Sequence, residues 1–445
     1  MTKSVSEREI VLDILMEVLE KDSFIHIAVR QALLKYQYMT KQERSFISRV
    51  SEGTVEYLLQ LDAVIDRYSK TPVKKMKPLI RNILRMSVYQ LFYMDRVPAS
   101  AVCNEAVKLA QKRGFQGLKG FVNGVLRTVV RERSQISFDK DLSLKYSMPE
   151  WIWKMWETDY GQEETEHMLQ AFLQKRPLSV RFLCQNASEK EILESLDAQN
   201  IEAKRSTLSK EVWFLEGIDS LEQTEAFQRG YLQVQDVSSA LVGQFAGLKG
   251  DEMVLDLCAA PGGKALHMAE ILKGQGHVEA RDVSEEKTAL IEQNIDRIGY
   301  KNITSKVWDA RVLDQDMVEK ADVVLADLPC SGLGIIGRKP DIKYHVTPEK
   351  LHELALLQRE ILSVAWQYVK PGGKLIYSTC TINKEENEQN RKWLLDNYPL
   401  EPVSLRPESE ELAVECSLEE GYIQLRPGIH PSDGFFIAVM RRKTE

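Results

Sequence analysis

At 445 residues the chain is too long for one ordinary domain, and two or three are expected. With 43% hydrophobic and 28% charged residues it has the profile of a globular protein with ample core. No apolar run is long enough to cross a bilayer. The first apolar stretch, residues 10–19, is broken by Asp13 and Glu17 and so reads as an amphipathic helix, not a signal peptide; a cytoplasmic location is expected.

The net charge of −7 is unevenly spread. Residues 1–140 carry +9 and the remainder −16, so a basic front precedes an acidic back. A basic front can neutralise phosphates and release counterions, although charge alone fits a solvated Lys/Arg face equally well. Six cysteines stand at 103, 184, 258, 330, 380 and 416, none at zinc-knuckle or CxxC spacing. Free thiols are expected, and no metal site.

Residues 1 to about 135 read as all helix. Ile10, Val11, Ile14, Leu15 and Val18 follow the helical period over residues 6–20, and Ser6 with Glu9 forms a candidate capping box. The pattern repeats over 42–52, 55–68, 77–93, 99–112 and 121–131, punctuated by Pro72, Pro78 and Pro98 near segment starts. The runs "IRNILRMSVYQLFYMDRVPASAVCNEAVKLAQK" and "GFVNGVLRTVVR" resemble the NusB-like helical domain. The resemblance implies a compact bundle that binds RNA on a basic face. Candidates are Lys74, Lys75, Lys77, Arg81, Arg85, Lys112, Arg113, Lys119, Arg127 and Arg131; protein docking is the alternative.

Residues 140–235 read as a connector and a small mixed module. Trp151, Trp153, Trp156 and Tyr160 sit in an expected helix, as packing between domains rather than a base-stacking platform. Residues 177–183 and 212–215 read as strands and 188–197 as a helix, with Arg176, Arg181, Lys204 and Arg205 as candidate RNA contacts.

From Asp236 the pattern becomes α/β. Strands are expected at 253–259, 277–283, 303–308, 322–326 and 374–377, alternating with helices at about 262–273, 284–298, 348–369 and 384–397. This alternation predicts a mostly parallel sheet covered on both faces. Residues 422–425 and 435–440 are two late strands expected as an antiparallel edge hairpin.

The strongest motif runs from Asp256 through Leu257, Cys258, Ala259, Ala260, Pro261, Gly262 and Gly263 to Lys264, between a strand and a helix. Ligand crevices in open α/β sheets lie at such strand ends. The small residues let backbone approach a ligand closely, and the helix N-terminus offers N–H groups to a carboxylate. Neither G-x-G-x-x-G nor the P-loop pattern is present. Asp282, ending the next strand, can hydrogen-bond ribose hydroxyls; Asp309, ending the third, can meet an adenine amino group. Each acid alone would usually be a turn or cap residue.

"DLCAAPGGK", "DLPCSGLGIIGRKPDIKY" and "STCT" together resemble the RNA 5-methylcytosine methyltransferases of the RsmB/NOP family, and with the NusB-like front the chain resembles the RsmB (Sun) type that acts on small-subunit (16S) ribosomal RNA. The fold implied has three parts: an all-α NusB-like bundle (1–138), a small α+β connector module (139–235), and an α/β, Rossmann-like, seven-stranded methyltransferase domain (236–445). The resemblance implies S-adenosylmethionine as cofactor, bound by residues 258–264 with Asp282, Asp309 and Asp327. Ala265 stands where the family has a hydroxyl residue and Leu328 where it has alanine.

Cytosine carbon 5 is a poor nucleophile, and a thiolate added at carbon 6 turns the ring into an enamine. Cys330 and Cys380 each follow a strand, and on proximity alone either can attack. The resemblance assigns the attack to Cys380, with Cys330 assisting proton removal and product release. DNA cytosine methyltransferases use the Pro-Cys cysteine with a Glu-Asn-Val that is absent here. Asp327 can meet the N3 region of cytosine, and Lys264 can orient Asp327 or favour thiolate. Asp-Leu-Pro-Cys is not the Asp-Pro-Pro-Tyr type of amino-group methyltransferases.

The loop 331–344, with Arg338, Lys339 and Asp341, is a candidate to hold the target nucleotide. His430 is expected to be structural, and Cys103, Cys184 and Cys416 ordinary thiols; Cys258 is expected beside the cofactor. The target base must leave its stack, which suits single-stranded RNA. The expected partner is RNA, naked or in an early assembly particle, with no DNA or membrane, and the expected state is a monomer. A non-catalytic RNA-binding or ribosome-assembly factor is the main alternative. A small-molecule or protein methyltransferase is a third.

Overall fold

The computed structural model describes residues 5–405, 412 and 416–444. The expectation for the Cys416 side chain lies outside the described residues. The chain divides into two compact units: residues 1–173 with 338–345, and residues 174–337 with 346–445.

The first unit is helical. Its front comprises α1 (Glu7–Glu20), α2 (Ile25–Lys35), α3 (Lys41–Glu56), α4 (Leu58–Tyr68), α5 (Pro78–Tyr93), α6 (Ala99–Lys112) and α7 (Lys119–Glu132). Ser6 and Glu9 form the capping box that starts α1, Thr40 and Glu43 another at α3, and Pro78 opens α5. On α5, Ile80, Ile83, Leu84, Met86, Val88 and Leu91 are buried together with the polar Asn82, Arg85, Ser87 and Gln90, so this helix is enclosed nearly all round and forms the bundle's centre. Trp156, on the helix Glu150–Tyr160, is fully buried and stacks on Phe172 of the same unit. The bundle also holds residues 338–345: Asp341 accepts the Ile25 N–H at 2.8 Å, and Lys343 donates to the Glu56 carbonyl at 2.7 Å.

The second unit contains two sheets. A four-stranded antiparallel sheet joins β1 (Leu178–Phe182), β2 (Glu202–Arg205), β3 (Val212–Glu216) and β4 (Leu232–Val234) in the order β2-β3-β1-β4. The larger sheet contains β5 (Met253–Asp256), β6 (His277–Asp282), β7 (Ile303–Val307), β8 (Ala321–Asp327), β9 (Val369–Thr379), β10 (Leu400–Pro402), β11 (Tyr422–Leu425) and β12 (Phe435–Arg442). Seven of them run in the order β10-β12-β9-β8-β5-β6-β7, and β11 pairs with β12 off this path. The pairs β5–β6, β6–β7, β5–β8 and β8–β9 are parallel, and β12 is antiparallel to β9. β6 and β7 extend the sheet to one side of β5, β8 and β9 to the other, so strand order reverses beside β5. Ligands bind outside the carboxyl ends of strands at such a point.

The late strands form the expected antiparallel hairpin at the sheet's edge, where β11 pairs with β12 alone among the described strands. β12 lies inside the sheet between β9 and β10, and residues Phe435 to Met440 are buried on both faces, as its unbroken apolar run requires. No helix among the described residues is long and apolar enough to cross a membrane.

Candidate active site

β5 ends in Asp256, and the helix Gly263–Ile271 begins seven residues later. Gly262, just before that helix, has φ +103°, a conformation that side chains strain to adopt. A Cβ on Gly263 would meet nothing nearer than the Val234 carbonyl at 3.9 Å, so the helix start is uncrowded. Asp282, at the end of β6, braces the turn: its carboxylate accepts the Ala260 N–H at 3.0 Å and the Val283 N–H at 2.8 Å, and pairs with Lys287 at 3.0 Å. Asp309 lies two residues beyond β7. Hydrogen bonds from the Arg311 guanidinium and backbone hold its carboxyl below the usual range.

A cavity of about 440 Å³ opens at these strand ends. Among the expected cofactor residues, Cys258, Ala260, Asp282, Asp309 and Asp327 line it. Ala259, Pro261, Gly262, Gly263 and Lys264 are not in its lining and build the turn behind it. Sequence reasoning missed Val283 and Trp308 on one side and Leu357 and Ile361 on the other. Val283 and Trp308 left a signal, as apolar residues directly beside the strand-end acids Asp282 and Asp309. The volume suits a ligand of nucleoside size. The apolar walls suit a flat base, and the carboxylates suit hydroxyls and a cationic centre. These residues fit S-adenosylmethionine, whose sulfonium is positive.

Beside the cavity, Lys264 Nζ lies 2.7 Å from one Asp327 oxygen, and the Ser378 hydroxyl donates to the other at 2.7 Å. Burial works against the Lys264 charge, but Asp327, Asp256 and Cys380 outweigh it and hold its pKa above the ordinary value. Burial, with Asp327 nearby, pushes the Asp256 carboxyl up to about 8. Cys330 and Cys380 follow the adjacent parallel strands β8 and β9, and their Sγ atoms are 3.3 Å apart. The contact with Cys380, then burial, then the negative charges of Cys380 and Glu386, keep the Cys330 thiol well above its usual pKa. Backbone closes round the pair: the Gly334 N–H donates to the Cys380 carbonyl at 3.1 Å, and the Gly434 N–H to the Gly334 carbonyl at 2.9 Å. The two glycines touch so closely that a Cβ on either would overlap the other's backbone.

Other candidates fall elsewhere. Asp341 is 1% exposed and bonded to the Ile25 amide, so it does not present a carboxylate to a nucleotide. Arg85 is buried in a two-pronged pair with Asp62, and Arg81 pairs with Glu20, because acids from other helices reach them across the bundle. Lys112 and Arg113 pair with Glu9 and Asp13. Lys74, Lys75, Lys77, Lys119, Arg127 and Arg131 remain exposed. Arg181 is 1% exposed, held by Gln235 and Glu270, which removes it as an RNA contact. Arg176 donates to the Ser432 carbonyl. His430 is buried and accepts the Arg426 N–H at 3.0 Å.

Sheet order, cavity and helical front define an S-adenosylmethionine-dependent methyltransferase with a NusB-like domain. Family models agree: "16S rRNA methyltransferase RsmB/F" matches residues 245–441, the NusB family residues 5–131, and the ferredoxin-like domain of RsmF/B-like methyltransferases residues 148–219. The probable ribosomal RNA small subunit methyltransferase B of Bacillus subtilis is 35% identical, with 99% of this chain and 100% of that protein covered. Its namesake from Synechocystis is 33% identical, at 98% and 100%. The crystal structure of PH0851 is 27% identical with a TM-score of 0.84, covering 98% of this chain and 99% of that one. The chain belongs to the RsmB/F family of 16S rRNA methyltransferases.

Proposed function

We propose that this protein methylates carbon 5 of a cytosine in small-subunit ribosomal RNA through a covalent adduct between Cys380 and carbon 6. The observation that carries this reading is the pair of cysteine sulfurs 3.3 Å apart at the ends of β8 and β9, beside the cavity that suits the methyl donor. Amino-group methylation needs no thiol, and a pure binding module needs neither.

In this reading residues 258–264, with Asp282, Asp309 and Asp327, hold the cofactor. When bound it supplies an electrophilic methyl group. The Cys380 thiolate adds to carbon 6, and the ring's electron pair moves to carbon 5, which takes the methyl. Lys264 favours the thiolate by its charge and, with Ser378, fixes Asp327 to face the N3 edge of the base. Cys330 then releases its own proton to solvent and, as thiolate, accepts the carbon-5 proton; the freed C–H pair re-forms the carbon 5–carbon 6 double bond, the carbon 6–sulfur bond breaks, and Cys380 leaves as thiolate. The order follows from the sulfur contact. While Cys380 is an anion it keeps Cys330 protonated. Once Cys380 is a thioether, its charge and its hydrogen bond to Cys330 are gone, and Cys330 becomes more acidic. The basic front, 1–138, supplies RNA affinity, 139–235 connects, and 236–445 catalyses, in a monomer acting on naked RNA or an early particle.

The test is tritiated-methyl transfer to unmodified small-subunit ribosomal RNA by wild type, Cys380→Ala and Cys330→Ala. We expect labelled 5-methylcytosine from wild type, none from Cys380→Ala, and a trapped protein–RNA adduct from Cys330→Ala. An adduct trapped by Cys380→Ala instead would exchange the two roles. RNA binding without any label would favour an assembly factor.

A further inference from the structure

Two like thiols in contact need something to tell them apart. Lys264 lies on the Cys380 side. On the Cys330 side, a buried acid outside every recognised motif closes the turn. Glu386 is fully buried in the loop between Cys380 and the helix Glu388–Asn397. Its carboxylate accepts the Ser331 N–H at 2.9 Å, the Ser331 hydroxyl at 2.5 Å and the Gln358 amide at 3.1 Å.

These partners bracket the cysteines. Ser331 follows Cys330, and its hydroxyl oxygen lies 2.7 Å from that of Thr381, which follows Cys380. Gln358 also donates to the carbonyl of Pro329, just before Cys330, at 3.0 Å. The far side is closed as well: Tyr377 hydrogen-bonds Gln358 and the Glu386 carbonyl, and Asn390 donates to Gln358. Among the described residues the donors to the Glu386 carboxylate are all neutral groups, and burial outweighs their hydrogen bonds and raises its pKa above the usual carboxylate value. Burying a carboxylate without a cation is costly, and a glutamine could satisfy the same geometry. Its carbonyl would accept from Ser331 N–H and Gln358, and its NH₂ would donate to the Ser331 hydroxyl, which would turn to Thr381. Shape therefore does not require the charge.

We propose that Glu386 is a positioning residue that fixes the Cys330 turn and, by its negative charge, keeps Cys330 the thiol of the pair so that Cys380 is the thiolate. The proposal rests on the covalent reading above. Among the described residues the titratable groups facing Cys330 are Tyr377 from β9, Cys380 just after that strand and Glu386 from the loop that follows, and the anions among them oppose a second thiolate.

The test is mass-spectrometric mapping of iodoacetamide alkylation on the full chain without RNA, between pH 6.5 and 10, for wild type, Glu386→Gln and Glu386→Asp. In wild type Cys380 should react first, at pH 8 about tenfold or more ahead of Cys330. In Glu386→Gln, Cys330 should react about tenfold faster at pH 8, with Cys380 changed less than twofold. Glu386→Asp, which keeps the charge, should retain the wild-type order. An unchanged Cys330 profile in folded Glu386→Gln, or an equal shift in both variants, overturns the proposal. If Glu386→Gln does not fold, equal alkylation of the two cysteines in wild type overturns it. Failure of the covalent reading shows separately, as the absence of any Cys380–RNA adduct.

Discussion

Replacing Lys264 with methionine keeps most of the side chain's unbranched bulk and removes its charge. The ammonium is 15% exposed and lies 2.7 Å from Asp327, itself 25% exposed. Breaking a fully buried pair costs about 3–5 kcal/mol, and partial exposure of both groups reduces this to about 1–3 kcal/mol. For a unit of this size that corresponds to a fall in melting temperature of about 3–10 °C. The effect on rate is larger. An unassisted thiol with a pKa near 8.5 is only about a tenth thiolate at pH 7.5, so loss of the neighbouring cation costs up to about tenfold. Loss of a fixed Asp327 adds about tenfold more. We expect methyl transfer by Lys264→Met to fall about a hundredfold at pH 7.5, measured as tritium incorporation into RNA. Part of that loss should return between pH 7.5 and 9, because base supplies the thiolate that lysine no longer favours. A variant that stays within threefold of wild type refutes the reasoning. A loss of the same factor at every pH refutes the charge argument and leaves only the hold on Asp327.

Gly334→Ala should lower kcat at least tenfold with little change in RNA affinity, since its Cβ would overlap the Gly434 backbone and displace the Cys380 carbonyl; steady-state kinetics and RNA titration separate the two. Replacing Lys74, Lys75 and Lys77 together with alanine should weaken RNA binding and reduce the log–log salt slope by about 2, whereas Arg85→Ala, losing its buried pair with Asp62, should act mainly by destabilising the fold. His267 is fully buried, and burial with the nearby Arg181 charge lowers its pKa to about 4. The unfolded chain therefore binds the extra proton below about pH 6.5 and the folded chain does not until about 4. Stability is complete above pH 6.5 and should fall by about 3 kcal/mol as pH drops through that window, seen in urea melts and flattened by His267→Gln.

Much of the catalytic sheet was legible because a parallel strand buried on both faces leaves an unbroken apolar run, and its end carries the small residue or acid that the crevice needs. Cys330 and Cys380 stood out as thiols directly after such runs. Other elements left weaker traces. α2 begins after Phe24, which offers no side-chain cap, and β2 is the polar run Glu-Ala-Lys-Arg along an edge. β11 and β12 were legible as an edge hairpin, but nothing local announced that β10 would share the outer side of β12 with β11. The basic face shrank for a similar reason: Glu20 and Asp62, far along the chain, neutralise Arg81 and Arg85. Gln358 and Glu386 match no pattern, since a buried polar network is defined by distances and not by spacing.

The helical unit ends at Leu173 but is completed by residues 338–345. Synthesis runs from the N-terminus, so the first-made bundle waits for its last piece. At about 5–20 residues per second, roughly 10–35 s separate the two segments. During that interval the Ile25 amide lacks its Asp341 acceptor and the place of Lys343 beside Glu56 is empty. An amino-terminal fragment ending near residue 173 should therefore be less stable than the same bundle in the full chain.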